Sequence, residues 1–459
     1  MENVTMKLAE FISHLTYDQI SQKALEKIKA CLLDSLGCAV SGSTSEWGRI
    51  VNEFVQSQKG VQEASLWTTN FVGPAANVVL GNGTMIHSYD FDDLHMTKIH
   101  PGSVVIPAGI AIGERENING KALMTAMVAG YETMIHISRG LNPKASRDKG
   151  WHLTGTCGTF ASAAAVGSIW QLDTETMASA LGMAGTQSAG LWAFNADGSH
   201  SKRFHPGRAA QSGVIAASLA RAGYRGPTKI LEAGDGGFFK ATSFDFDFAA
   251  VTDGLGEKFD TEDMVVKPYP ACGSLHSSID AALIIRGENQ IDIENIGEIN
   301  VHNSDGVNLQ CGFDYDPMMG VLHAQMSMKY CIARAMLDGM LSLAQFTEGK
   351  LRDPEAIALA SRVNFVLDEE INKIYPREFP SIVEVVMKDG KKYKVRVNLL
   401  KGSAENPISW KEVQDKFKAL AVPVLGNNRA AAIIDMVENL EDVEDVAAIA
   451  KLMKRQADA

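Results

Sequence analysis

Between Gly155 and Ile169 the chain reads GTCGTFASAAAVGSI, a run made almost entirely of small residues. With so little side-chain volume such a segment cannot build a core of its own. Its stability has to come from tertiary packing, so it suits a helix lying very close to its neighbours, deep in a bundle. Thr174 to Gln187 and Gly207 to Ala222 repeat that small-residue character. From Tyr17 to Val40 the residues Ile20, Ala24, Ile28, Cys31, Leu32, Ser35 and Leu36 recur at helical spacing, with Lys23, Lys27 and Lys29 on other faces. The first half therefore reads as helix packed on helix.

The texture changes after about Val265. Ile296 to His302 alternates in strand fashion, and Ile382 to Met387 and Tyr393 to Leu399 are β-type runs joined across Lys388-Asp389-Gly390-Lys391. Asp-Gly between alternating segments is a strong hairpin signal. A Met-rich helical stretch, Met326 to Leu343, lies between these strands, and Trp410 to Met453 returns to helices. With 459 residues the chain is too long for one ordinary core. The expected fold is mainly α: a large all-helical domain formed from both chain ends (1–265 and 401–459) and a smaller inserted α+β domain (266–400).

The net charge of -12 argues against nucleic acid as a partner, because a phosphate backbone needs a basic face. No uninterrupted apolar stretch reaches membrane-spanning length, and the opening residues carry both charge signs without an apolar run and cleavage site. Six cysteines are scattered with no CxxC pair. These features predict a cytoplasmic protein with neither membrane nor nucleic-acid partners.

Four polar stretches stand out. His87 to Pro107 interleaves Asp90, Asp92, Asp93, His87, His95 and His100 with Tyr89, Phe91, Leu94, Met96 and Ile99. Carboxylates and imidazoles held against apolar surface can have their pKa values moved for proton transfer. Asp197 to Arg208 gathers Lys202, Arg203, Arg208, His200 and His205 and runs into the Gly207 to Ala222 helix, whose N-terminus would favour a carboxylate or phosphate. His152 stands just before the small-residue helix, which Thr154 or Thr156 would cap. In Lys267 to Asp280, Pro268 and Pro270 stiffen a turn from which Cys272 or His276 would project into a cleft; nothing close in sequence lowers the pKa of the Cys272 thiol. Asp90, Asp92, Asp93, His95 and His100 are chemically good metal ligands, but common metal-motif spacings are absent, so no metal is expected.

Taken in order, these stretches resemble the MmgE/PrpD family. The resemblance rests on D-F-D-D followed by H-P (Asp90 to Asp93, His100-Pro101) and G-W-H-x-T-G-T-x-G (Gly150 to Gly158). It continues in S-K-x-x-H-P-G (Ser201 to Gly207), K-P-Y-P-x-C (Lys267 to Cys272), M-x-x-K-Y-C-I-A-R-A-M-L-D-G (Met326 to Gly339) and E-N-P-I-S-W (Glu405 to Trp410). The family includes 2-methylcitrate dehydratases, cis-aconitate decarboxylases and an iminodisuccinate epimerase. The resemblance implies a helical domain and a smaller α+β domain with the active site between them, a homodimer, and action on small di- or tricarboxylates without an obligatory cofactor. It places Asp90, His100, His152 and Lys202 at active-site positions, with His276 matching a second histidine of its motif. Asp93, Arg203, Arg208 and Cys272 are expected to contact substrate. In the decarboxylases a Thr follows the acidic pair, where this chain has Leu94, and a His stands close to the place of Cys272. Both departures weigh against decarboxylation.

The expected activity is that of a lyase, 2-methylcitrate dehydratase-like, acting by proton abstraction next to a carboxylate. An epimerase of an iminodisuccinate-like acid and a cis-aconitate decarboxylase-like lyase are the alternatives, and a non-catalytic carboxylate-binding protein is the rival outside catalysis. Lys202, with Arg203 or Arg208, would stabilise the charge developing on the carboxylate, and Asp90, His100 or His152 has the chemistry of the base.

Overall fold

The small-residue run folds as the helix Leu153–Ile169, and every residue from Leu153 to Gly167 is buried. Its neighbours come within backbone reach. A Cβ on Gly158 would lie 3.0 Å from Val104 and 3.1 Å from Ala209, and one on Gly213 would lie 2.4 Å from the Cβ of Ser162. The helices Gly102–Glu116 and Ser201–Arg221 are thus pressed against it. The computed structural model in which these contacts are seen describes residues 3–375 and 377–454, with 61% of the chain helical and 8% in strands. The protein is mainly α.

Helix starts follow local chemistry. Ser21 Oγ accepts from the Ala24 amide and opens Gln22–Gly42, and Ser409 with Glu412 closes a capping box that opens Trp410–Leu425. The basic stretch is an exception to the sequence reading. The helix expected from Gly207 begins at Ser201 and carries Pro206 inside it, so Lys202 and Arg203 are helical residues and not part of a loop. A proline in a helix interior is normally a stop signal, so the sequence alone points to a later start. The Met-rich stretch likewise breaks into Gly320–Met326 and Met328–Asp338. Ser327 lies at the break, extended, with its hydroxyl accepting from the Tyr330 amide.

Two short strands, Ala64–Ser65 (β1) and Val72–Gly73 (β2), pair antiparallel. The larger sheet contains Ile296–Asn303 (β3), Val363–Leu367 (β4), Ser381–Met387 (β5) and Lys392–Val397 (β6), in the order β4-β3-β5-β6. β3 and β4 are parallel, and the other pairs are antiparallel. The β5–β6 hairpin turns at Asp389-Gly390, with Gly390 at φ 88°. β4 has no counterpart in the sequence reading.

Buried apolar residues fall mainly into two clusters. One runs from Val4 to Val266 and resumes from Val413 to Met453, so both chain ends share a core. The other holds Ala271 to Val385 and also takes in Phe194. A small third group, Leu94, Val265 and Leu400, joins segments from either side of that division. No helix among the described residues is long and apolar enough to cross a membrane.

Candidate active site

The site is built around a helix crossing without side chains. The helix Ala75–Ile86 meets Ser201–Arg221 where Gly83 faces Gly207; a Cβ on Gly83 would lie 2.8 Å from the Gly207 Cα. Beyond the end of the first helix a single 3-10 turn, His87–Tyr89, leads to Asp90, whose backbone is left-handed (φ 50°, ψ 39°). Aspartate is among the few residues that tolerate that region. Lys202, in the first turn of the second helix, places its Nζ 2.8 Å from Asp90 Oδ2. Lys267 approaches from the other side, with Nζ 3.0 Å from Asp90 Oδ1, and also donates to the Asp90 carbonyl. All three side chains are nearly or fully shielded from solvent.

Burial alone would raise the Asp90 pKa, but Lys202 and then Lys267, with His100 and His87, pull it well below the usual carboxylate range. Asp90 is therefore a permanent anion with both oxygens engaged, and a poor base. The imidazoles beside it are held uncharged instead. Burial drives His100 down to about 3 despite the Asp92 carboxylate. His152 is lowered well below its ordinary value, first by burial and then by His205 and Lys202, and His205 is lowered by burial to about 4. These rings are neutral at physiological pH and can accept a proton.

The tautomer of His100 follows from its contacts. Nδ1 lies 2.8 Å from the Asp93 carbonyl and so carries the hydrogen, which leaves the Nε2 lone pair 3.7 Å from Asp90 Oδ1. His152 Nδ1 shares a hydrogen with His205 Nδ1 across 3.0 Å, and its ring stands edge-on to Trp192 and Phe194. His87 Nδ1 holds Asp92 Oδ1 at 2.9 Å, and the His87 ring lies 4.7 Å from that of His100.

Asp90, His100, His152, Lys202 and Cys272 line one cleft, which encloses about 620 Å³ of empty space, its open mouth included. Lys98, Trp192 and Gln310 line it as well, together with Leu94 and Leu400. His95 lines it too, whereas Asp93, Arg203 and Arg208 lie elsewhere. Asp93 is wholly buried, accepting from the Gly102 amide at 2.9 Å and the Tyr131 hydroxyl at 2.6 Å; burial lifts its pKa to about 7. It anchors the start of the Gly102–Glu116 helix. Arg203 stacks on Trp47, its Cζ 3.8 Å from the ring centroid, and donates from Nε to the Ser88 carbonyl. Arg208 is exposed and bonds Gln211. Because the helix already starts at Ser201, successive residues turn by about 100°, and Lys202 alone of these three cations faces the cleft.

Cys272 and His276, both expected to meet the substrate, are separated by the fold. His276 is the first residue of the helix His276–Glu288, fully buried, with Nε2 3.1 Å from the Ala271 carbonyl. It does not line the cleft, and Cys272 does. A hydrogen bond from Cys311 lowers the Cys272 thiol to about 7 against the effect of burial. In sequence Lys267 opens a proline-stiffened turn and the K-P-Y-P-x-C motif, with no role attached to it. A lysine placed directly after Val265-Val266 and before Pro268 was the available signal, since such a cation needs a buried anion.

His87, Asp90, Asp92 and His100 bring potential ligand atoms within 4.8 Å of one another. Two lysine ammonium groups already occupy Asp90, and they would repel a metal ion there. A second group, Glu132, His136 and Asp260, is likewise engaged: Glu132 accepts from the Thr261 amide and hydroxyl, and Arg139 pairs with Asp260 at 2.6 Å.

The helical framework thus presents a lysine-clamped carboxylate among neutral imidazoles in one cleft. The sequence profile of the MmgE/PrpD N-terminal domain matches residues 6–250, that of the MmgE/PrpD C-terminal domain matches residues 269–442, and the chain belongs to this family. It is 28% identical over 471 residues to a cis-aconitate decarboxylase of Aspergillus terreus, covering 95% of this chain and 93% of that protein. Identity to the human cis-aconitate decarboxylase is 26%, over 99% of this chain and 95% of that one. A 2-methylcitrate dehydratase of Cupriavidus necator is 23% identical over 83% of this chain and 82% of its own length.

Proposed function

We propose that the protein is a lyase acting without a cofactor on a small di- or tricarboxylate, removing a proton from carbon next to a carboxylate and expelling hydroxide as water. The observation that carries this reading is the contrast between Asp90, fixed as an anion by Lys202 and Lys267, and the free Nε2 of His100 beside it. Such a C–H bond is a very weak acid, so the charge gathering on the substrate carboxylate needs ammonium groups already in place. Lys202 supplies one at the cleft wall. His100 Nε2, whose lone pair is free, takes the proton; the Asp90 carboxylate 3.7 Å away offsets the low basicity that burial gives the ring by stabilising the imidazolium, which returns the proton to the departing hydroxyl.

Dehydration is preferred to decarboxylation because Leu94 and Cys272, the two positions that depart from the decarboxylase pattern, both line the cleft. Decarboxylation is the second reading, favoured by the 28% identity to the Aspergillus terreus enzyme. The test is incubation with methylcitrate, citrate, cis-aconitate, malate and iminodisuccinate in deuterated water, followed by mass spectrometry. Loss of water with deuterium entering the methylcitrate or citrate pool is the expected result. Carbon dioxide released from cis-aconitate would establish the second reading, and the absence of exchange and turnover with all five would overturn both.

A further inference from the structure

Lys98 is the one lysine of the cleft that no family motif named above includes. It stands at the tip of a tight turn in which the His95 amide donates to the Ile99 carbonyl and the Lys98 amide to the His95 carbonyl, both at 2.9 Å. Its backbone is left-handed, φ 65°, an unfavourable region for a long side chain. From that turn the side chain points inward and lines the cleft with Asp90, His100 and Lys202.

The three site lysines differ in what holds them. Lys202 and Lys267 are each bonded to the Asp90 carboxylate. Lys98 has no carboxylate within ion-pair distance among the described residues. Its Nζ donates to the Tyr375 hydroxyl at 2.9 Å and lies 4.9 Å from the centre of that ring. Burying an ammonium group against a neutral phenol is costly unless an anion arrives to share the space. The side chain is half-buried, and the cleft that it lines has room for such an anion.

We propose that Lys98 binds the distal carboxylate of the substrate, exchanging the Tyr375 hydroxyl for it when the cleft fills. This rests on the function proposed above and narrows its substrate class. One carboxylate is drawn to Lys202 beside the reacting carbon, and a second, at the other end of the molecule, is required by Lys98. Monocarboxylates would then be bound by half of the site.

The electrostatics agree. Burial lowers the Lys98 pKa to about 8; Cys272 and Asp148 favour its charged form, and Arg147 and Lys144 oppose it. Affinity for a polycarboxylate should therefore fall as pH rises through that value.

The test is calorimetric titration of the whole chain with propane-1,2,3-tricarboxylate and with propionate. The proteins compared are the wild type, Lys98→Met, Lys98→Arg and Tyr375→Phe, each first checked for a native melting transition. Loss of one charge-assisted contact should weaken tricarboxylate binding by roughly 10-fold in Lys98→Met and leave propionate binding within about twofold. Lys98→Arg should retain most of the affinity, and Tyr375→Phe should bind the tricarboxylate at least as tightly as the wild type. Only proteins that keep the lysine should lose affinity between pH 7 and 9 through this group. A folded Lys98→Met that binds the tricarboxylate as the wild type does, or that loses both ligands equally, overturns the proposal and leaves the proposed function standing. A wild type that binds no di- or tricarboxylate at all overturns both.

Discussion

Gly83 and Gly207 touch backbone to backbone, and the distance between the elements carrying Asp90 and Lys202 is set at that contact. A Cβ on Gly207 would lie 2.3 Å from the Leu80 carbonyl oxygen and 2.9 Å from the Thr84 amide nitrogen, neither of which can withdraw without moving its helix. Gly207→Ala should therefore cost about 1–3 kcal/mol of stability and, by pushing Lys202 away from Asp90, a larger share of turnover than of ground-state binding. Denaturant unfolding together with separate kcat and KM values would check this. A variant with unchanged turnover would show that the crossing does not position the lysine.

Lys267→Met removes one of the two cations that hold Asp90 as an anion. Breaking a buried pair from one side leaves its charge poorly compensated, at a cost of about 3–5 kcal/mol where no second partner remains. With Lys202 still present the loss should be smaller. Adding Asp90→Asn to the same protein should restore part of the stability and none of the activity. Unfolding midpoints of the two single variants and the double variant measure the coupling directly. Additive losses would mean that the two groups do not stabilise one another.

Acid sensitivity should come largely from the buried imidazoles. His100 falls to about 3 and His95 and His205 to about 4 in the folded protein, and burial is the leading cause in each case. A base with a depressed folded pKa binds protons more readily when unfolded. The stability attached to it is complete above the unfolded value of about 6.5 and is lost as pH falls toward the folded value, at up to about 1.4 kcal/mol per pH unit for each ring. Urea midpoints between pH 7 and 4 should fall steeply in the wild type and less steeply in His100→Gln. In turn, kcat/KM should show no acid limb near 6.5, because the proposed base stays neutral well below it.

Asp93 gives the opposite sign. Its pKa is raised to about 7, so its contribution is complete below the unfolded carboxyl value of about 3.9 and is lost as pH rises through the folded value. Tyr131→Phe deletes the hydroxyl that donates to Asp93 Oδ2, which should cost about 1–3 kcal/mol and shift the stability optimum to lower pH. Calorimetric melting of this variant across pH 5 to 8 would show the shift, and an unmoved optimum would remove Asp93 from the account.

Cys272 should be the first thiol to react. It lines the cleft, and its pKa is brought down to about 7, whereas burial raises the Cys31, Cys38 and Cys157 thiols. Iodoacetamide at pH 7.5 followed by peptide mapping should find Cys272 modified ahead of the other five, and bound polycarboxylate should slow the reaction. His276→Gln should lower stability and leave KM nearly unchanged.

Features whose cause is local were legible in the sequence. The Leu153–Ile169 helix and the Asp389-Gly390 hairpin needed only composition and a turn signal. The family motifs brought Asp90, His100, His152 and Lys202 into view, and the structure gathers them in one cleft. Features decided by distant partners were not legible. β4 is an edge strand whose alternation is blurred and whose parallel partner, β3, lies far back in the chain. Arg203 resembles Lys202 in sequence, and only the early helix start turns it toward Trp47. The withdrawal of His276 from the cleft likewise depends on where the helix at His276 begins.

Lys416, in the closing helices, donates to the backbone carbonyls of both Phe91 and Lys267 and pairs with Asp34 at 2.5 Å. The strands of chain that flank Asp90 and Lys267 are thus tied together by a residue that follows every cleft-lining residue in sequence. A ribosome that has delivered every cleft-lining residue has still not delivered this clasp. The nascent protein must hold its charged interior incomplete until the Trp410–Leu425 helix emerges, and competence should appear only after that helix is made.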